Sequence, residues 1–165
     1  MKYLLDSNTL IEAKNRYYRM GFCPAYWQWI LAKNRSQDVS SITMIADELA
    51  RGNDELKDWA SGNKGMFLPV TDTLTQEAFG RIAAWVSVRS SEMKPGALQD
   101  FLSGADPWLI AKAMASGATV VTHESYNADA KKKFLIPNVC QQFNVPYMNT
   151  FDLLHTLNAQ FVLPS

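Results

Sequence analysis

The sequence predicts an α/β domain: a small, mainly parallel sheet flanked by helices on both faces. Three observations carry this. Short apolar runs alternate with amphipathic segments along the chain. The segments between those runs are long enough to cross over a sheet. And "ATVVT" (118–122), a β-branched strand, follows directly on a helix that is apolar on nearly every side.

Taken in order, "KYLL" (2–5) reads as a buried strand that stops at Asp6. Residues 8–18 suit a helix with Ser7 as its cap, and Gly21 and Pro24 interrupt the chain before an aromatic helix at 25–34. Val39-Ser40 suits a short strand. Ser41 then precedes a helix at 42–51 that Gly52-Asn53 stops, and a second helix spans 54–61. Residues 66–70 suit a strand or an extended loop, 74–91 a long helix, and Pro95-Gly96 a break. Pro107 and Gly117 bracket a helix at 107–116. After 118–122 come a short helix from Pro137 to 143, a strand at 145–149 and a closing helix at 151–160. No repeat, linker or composition break divides residues 1–165, so one domain is expected.

Composition narrows the function. Apolar residues make up 47% of the chain, enough for a sizeable core and too many for a disordered protein. No apolar run reaches the ~20 residues of a membrane span, and no basic stretch leads into an apolar signal segment. Cys23 and Cys140 lack metal-ligand spacing, so a reduced, cytoplasmic chain is expected. Lysines and arginines balance aspartates and glutamates at 16 each. That balance argues against binding nucleic acid by net charge alone, but not against an enzyme with a local basic patch. No P-loop, GxGxxG or GxSxG is present.

In a parallel sheet, sites collect beyond the carboxyl ends of the strands. Asp6 stands at such an end, and Glu124 two residues past "TVVT" stands near another. Asp6 is equally readable as a helix cap, although Ser7 could serve instead, and Asn8 is placed to orient a carboxylate or a metal-bound water. In "SSITMIADELARGN", Glu48 shares a helix face with Met44, Ile45 and Leu49, whereas Asp47 points outward. Asp106 precedes Pro107, which suits a cap, but the apolar helix behind it belongs against the sheet. Asp6, Glu48, Asp106 and Glu124 would then gather at one edge. Converging carboxylates repel one another unless a hard cation such as Mg²⁺ or Mn²⁺ neutralises them, and such an ion can activate water against a phosphodiester. Lys131, Lys132 and Lys133 follow Glu124 and are candidates for phosphate contact, against the simpler reading of a solvated run. His123 has neither a clustered partner nor an HExxH motif. The aromatic stretch "RYYRMGFCPAYWQWI" is explained most simply by core packing.

These segments carry a resemblance. "YLLDSNTLI", the acid in "ITMIADEL" and "ADPWLIAKAMASGATVVTHE", in this order over essentially the whole chain, resemble the PIN-domain ribonucleases. Many of those are toxins of bacterial toxin–antitoxin pairs, and the chain looks closest to a PIN-like subgroup formerly catalogued as a domain of unknown function. The resemblance implies a three-layer sandwich and cleavage of RNA with Mg²⁺ or Mn²⁺. It implies Asp6, Glu48, Asp106 and Glu124 as catalytic metal ligands in that order, with Asn8 as the small polar residue after the first acid. It also implies an RNA substrate and an antitoxin partner, with a homodimer as an open option and no membrane. The chain departs from the pattern at Glu124, where Asp is more usual. A PIN-like binding module without chemistry is the alternative. A phosphatase with Asp6 as nucleophile fits less well, because "DSN" lacks the DxD spacing.

Overall fold

The computed structural model describes residues 2–164. Five strands form one parallel sheet in the order β3-β2-β1-β4-β5: β1 is Tyr3–Leu5, β2 Val39–Ile42, β3 Phe67–Leu68, β4 Thr119–Val121 and β5 Tyr147–Met148. β1 lies at the centre, with Leu5 opposite Val121 of β4 and Leu4 opposite Ser40 of β2. Consecutive residues of a strand face opposite sides of a sheet. Leu4 and Leu5 are 0% and 1% exposed, so both faces of the sheet are covered. That is why the strands read as unbroken apolar runs rather than as alternating ones.

Helices make the covering layers. α1 (Ser7–Glu12) continues into a π-helical turn over Ala13–Tyr17, where the Tyr18 amide donates to the Ala13 carbonyl at 2.8 Å. α2 spans Pro24–Arg35, α3 Thr43–Arg51, α4 Glu55–Gly62 and α5 Thr73–Val88. α6 spans Ala97–Ser103, α7 Asp106–Ser116, α8 Ile136–Gln142 and α9 Thr150–Thr156. α7 packs on β2 and β4 on one side and on α5 on the other, with Phe79 and Trp108 stacked at 3.9 Å between the two helices. This sandwiched position accounts for its apolar sequence. Its last turn closes on Gly117 in the left-handed region (φ 72°), and the Ala118 amide donates back to the Ala113 carbonyl at 3.1 Å.

Local details differ from the expectations. Ser41 lies in β2, which runs on to Ile42, and its hydroxyl donates to the Leu5 carbonyl at 2.7 Å and so ties β2 to the end of β1. α5 ends at Val88 and a 3-10 turn over Ser90–Glu92 follows, instead of one helix to 91. α6, unread in the sequence, anchors itself through buried Ala97 and Phe101. The aromatic stretch packs as expected in part: Tyr26 and Trp27 are buried, and the Trp27 indole donates to the Tyr18 carbonyl at 2.7 Å, whereas Tyr17 and Phe22 are exposed. No helix among the described residues is long and apolar enough to cross a membrane.

Ile110 is fully buried in α7. Truncating such a side chain removes its transfer energy and leaves a cavity. Ile110→Ala is expected to lower the unfolding free energy by about 2–5 kcal/mol, read from the midpoint of urea denaturation. A shift within error of zero would mean that α7 does not pack on the sheet as described.

Candidate active site

The strand order runs outward from β1 in both directions, through β2 to β3 and through β4 to β5. The β1–β4 pair is therefore where successive crossovers diverge and leave an open crevice beyond the strand ends. Asp6 sits at the mouth of this crevice, 2% exposed. Its amide donates to the Val121 carbonyl at 2.9 Å, continuing the ladder with β4. One carboxylate oxygen accepts from the Ser7 amide at 2.7 Å, and the other from the Thr122 hydroxyl at 3.0 Å. Asp6 therefore caps α1 and also faces the crevice.

Thr122 is a residue the sequence reading quoted without assigning it a task. Besides donating to Asp6, its hydroxyl accepts from the Glu124 amide at 3.1 Å, so one buried side chain sets the spacing between two of the acids. The signal for it was the polar residue closing an otherwise apolar strand. Asn8 acts on the same loop: its side-chain oxygen accepts from the His123 amide at 3.2 Å. It pins backbone, in contrast to the expected orientation of a carboxylate.

Asp106 is the first residue of α7, and its side chain makes no capping bond. Among the described residues no group donates a hydrogen bond to its carboxylate. The local explanation for this aspartate is thus absent, and its oxygens are free. Glu48 is half-buried on α3 while Asp47 is exposed, as the helical spacing predicted. One Glu48 oxygen accepts from the Ala105 amide at 3.3 Å, joining α3 to the start of α7 across 57 residues of sequence. Glu124 is differently engaged. One oxygen accepts from the Ile136 amide at the start of α8, at 3.0 Å, and the other lies 3.2 Å from the Lys133 ammonium.

The charges of this group act on one another. Burial, and then the charge of Asp106, push the pKa of Asp6 up to about 8; the Thr122 bond pulls it down and Glu124 adds to the rise. Asp106 is pushed up to about 6, by burial first and then by Glu124, with Lys133 opposing and Glu48 contributing. Desolvated carboxylates raising each other's pKa form an environment that a cation would relieve, and an all-oxygen donor set suits a hard ion. Yet among the described residues no three His, Cys, Asp or Glu side chains are arranged so as to hold one metal ion. The oxygens that fit best are those of Asp6 and Asp106, with Glu48 beside them. Glu124 fits worst: like Asp6 it has a partner on each oxygen, but one of its partners is the Lys133 ammonium, a cation already in place.

Lys131 and Lys132 are exposed, and Lys133 alone of the three reaches the acids. His123 sits half-buried with its Nε2 3.1 Å from the Thr150 hydroxyl and its ring against Phe151, and burial lowers its pKa. It packs against Thr150 and Phe151 at the start of α9.

Residues 3–161 match the family described as "Domain of unknown function (DUF4411)". The chain belongs to the DUF4411 family. No curated protein matches it. Among solved structures, the DUF4411 chain is similar to FitAcB from Neisseria gonorrhoeae, with a TM-score of 0.53 and 17% identity over 90% of this chain and 98% of that one. It is also similar to VapBC2 from Rickettsia felis, solved bound to a DNA fragment from their promoter, with a TM-score of 0.51 and 12% identity over 90% and 98% of the two chains. At such identities the likeness is one of fold, and the fold of this DUF4411 chain is PIN-like.

The two acids of α3 separate the readings cleanly. Glu48→Gln is expected to weaken Mn²⁺ binding about tenfold or more, one charged ligand being worth more than ~1.4 kcal/mol. Asp47→Asn should leave binding within about twofold. A titration that ranks the two the other way would remove Glu48 from the site.

Proposed function

We propose that this DUF4411 protein is a metal-dependent endoribonuclease acting as the toxin of a bacterial type II toxin–antitoxin pair. The observation that carries the reading is the placing of Asp6 and Asp106 together at the strand-end crevice of a PIN-like sheet: both carboxylates are desolvated, and the charge of Asp106 raises the pKa of Asp6. In this reading Asp6, Asp106 and Glu48 hold Mg²⁺ or Mn²⁺. When bound, the ion activates water and offsets the charge that builds on the scissile phosphate. The chain's own residues do the positioning. Thr122 and Ser7 fix both oxygens of Asp6, so its carboxylate has little orientation left to lose on binding. The Ala105 amide holds Glu48 toward the start of α7, where Asp106 stands. Burial keeps water from screening these charges, which strengthens their hold on a cation.

Beside Glu124, a cleft of about 330 Å³ is lined by His123, Tyr126, Tyr147, Asn149 and Phe151. Tyr126 and Phe151 are exposed and offer faces on which unpaired bases could stack. The antitoxin assignment rests on the similarity to FitAcB and VapBC2. A second reading, a PIN-like module acting through protein contacts alone, is favoured by the lack of a ready three-ligand set among the described residues. The two are separated by incubating the purified chain with single-stranded RNA in Mg²⁺, in Mn²⁺ and in EDTA. Cleavage in either metal and none in EDTA is expected. Intact RNA under all three conditions would leave the binding module.

A further inference from the structure

The ion pair between Glu124 and Lys133 sits inside the carboxylate group and is left unused by the reading above. Lys133 Nζ lies 3.2 Å from one Glu124 oxygen, and the other oxygen takes the Ile136 amide at 3.0 Å. The pair is asymmetric in exposure: the Glu124 side chain is 14% exposed and that of Lys133 is 54% exposed. The acid is buried as a fixed support, and the ammonium at its tip is open to solvent. A second observation places that tip. A cleft of about 190 Å³ has Lys133 on one wall and Asp106 on another, with Asp100, Phe101 and Phe134 completing it. Burial works against the ammonium, but Glu124, Asp106 and Asp6 together outweigh it and hold the lysine charged.

Two cations facing each other over a cleft are what a phosphodiester needs, one on each side of its oxygens. Here the protein supplies one of them. We propose that Lys133, held by Glu124, is the phosphate-binding cation of the site, so that Asp6 and Asp106 bind a single hard divalent ion and Glu124 binds none. This rests on the nuclease reading and departs from the expectation that Glu124 is a fourth metal ligand. The longer glutamate side chain is then accounted for, since it reaches the Ile136 amide and Lys133 instead of the ion. Lys131 and Lys132, exposed and unpaired with the acids, contribute only diffuse attraction.

The test is calorimetric titration of Mn²⁺ into the full chain and its variants, together with fluorescence binding of a labelled single-stranded RNA in EDTA at several salt concentrations. The wild type is expected to bind one Mn²⁺. Glu124→Gln should retain that ion with affinity changed by less than about threefold, whereas Asp106→Asn should lose it by about tenfold or more, as expected for removing a charged ligand. Lys133→Gln should leave the Mn²⁺ site filled and tighter, because a competing cation has gone. Its RNA affinity in EDTA should drop, with the slope of log affinity against log salt falling by about 0.7, the value for one phosphate contact on a single strand. Lys132→Gln, the exposed neighbour, serves as the reference for a non-specific loss of charge and should change the slope by less. Two Mn²⁺ ions in the wild type with one lost in Glu124→Gln would overturn the inference while leaving the nuclease reading intact. So would an RNA salt slope equally affected by Lys132→Gln and Lys133→Gln. No Mn²⁺ binding by the wild type would overturn the nuclease reading and this inference with it.

Discussion

Asp6→Asn is expected to abolish RNA cleavage, by roughly 1000-fold, while the fold persists. The amide is isosteric with the carboxylate. It can still accept from the Ser7 amide, so the cap of α1 and the end of β1 are kept. What it loses is the charge on the most deeply buried of the four acids. The same variant carries a stability signature independent of activity. Burial and the neighbouring acids push the pKa of Asp6 in the folded chain up to about 8, far above the ordinary aspartate range. The folded chain therefore holds this proton more tightly than the unfolded chain does. Stability from this group is fully present below the unfolded value and is lost as pH rises through about 8. In EDTA the wild type should melt at a higher temperature at pH 5 than at pH 8. Asp6→Asn should flatten that dependence and melt higher than the wild type at pH 8, by on the order of 5 °C. Asp106, raised to about 6, leaves a residual slope in the mildly acidic range. Excess Mg²⁺ should raise the wild-type melting temperature at pH 8 and leave the variant unmoved. A variant with full activity and an unchanged pH profile would take Asp6 out of the metal site.

Expression of the wild-type chain in bacteria is expected to arrest growth, and Asp106→Asn to restore it to near the vector control. Asp106 is the cleanest position for this comparison. Its carboxylate makes no cap bond and accepts from no group among the described residues, so the amide removes charge without breaking a structural contact. The backbone start of α7 rests on Pro107 and on the Leu109 amide, which donates to the Ala105 carbonyl at 2.9 Å. Circular dichroism of the purified variant should match the wild type. Equal growth arrest by the two chains would assign toxicity to protein contacts and favour the binding module.

The four acids could be picked out before any contact was visible because of where they interrupt the hydrophobic pattern. Asp6 and Glu124 follow strand residues, Asp106 begins an apolar helix, and Glu48 lies on the apolar face of α3. A charged residue in such a place is costly unless it has a task, and that cost is a property of local sequence. Elements with long periodic runs were equally legible, including α2, α3 and α7. α6 was not, because seven residues between Gly96 and Gly104 hold too few turns to display a period. β3, two residues long, carries too little pattern to separate a strand from an extended loop, whereas β5 was legible within 145–149.

The sequence by itself determined the alternation that makes a parallel sheet, the burial of both sheet faces and the set of acids at the strand ends, since each depends only on local periodicity and on the cost of misplacing charge. Which oxygens are free was decided by tertiary structure. The Ala105 amide reaches Glu48 from 57 residues away, and Thr122 reaches Asp6 from 116. Glu124 is engaged by Lys133 and the Ile136 amide, partners brought to it by a loop whose path has no periodic signature. Of three consecutive exposed lysines, Lys133 is the one whose ammonium pairs with Glu124. Hydrogen bonding and charge pairing are short-ranged and directional, so they are set by the placement of atoms in space, which the order of residue types along the chain does not specify.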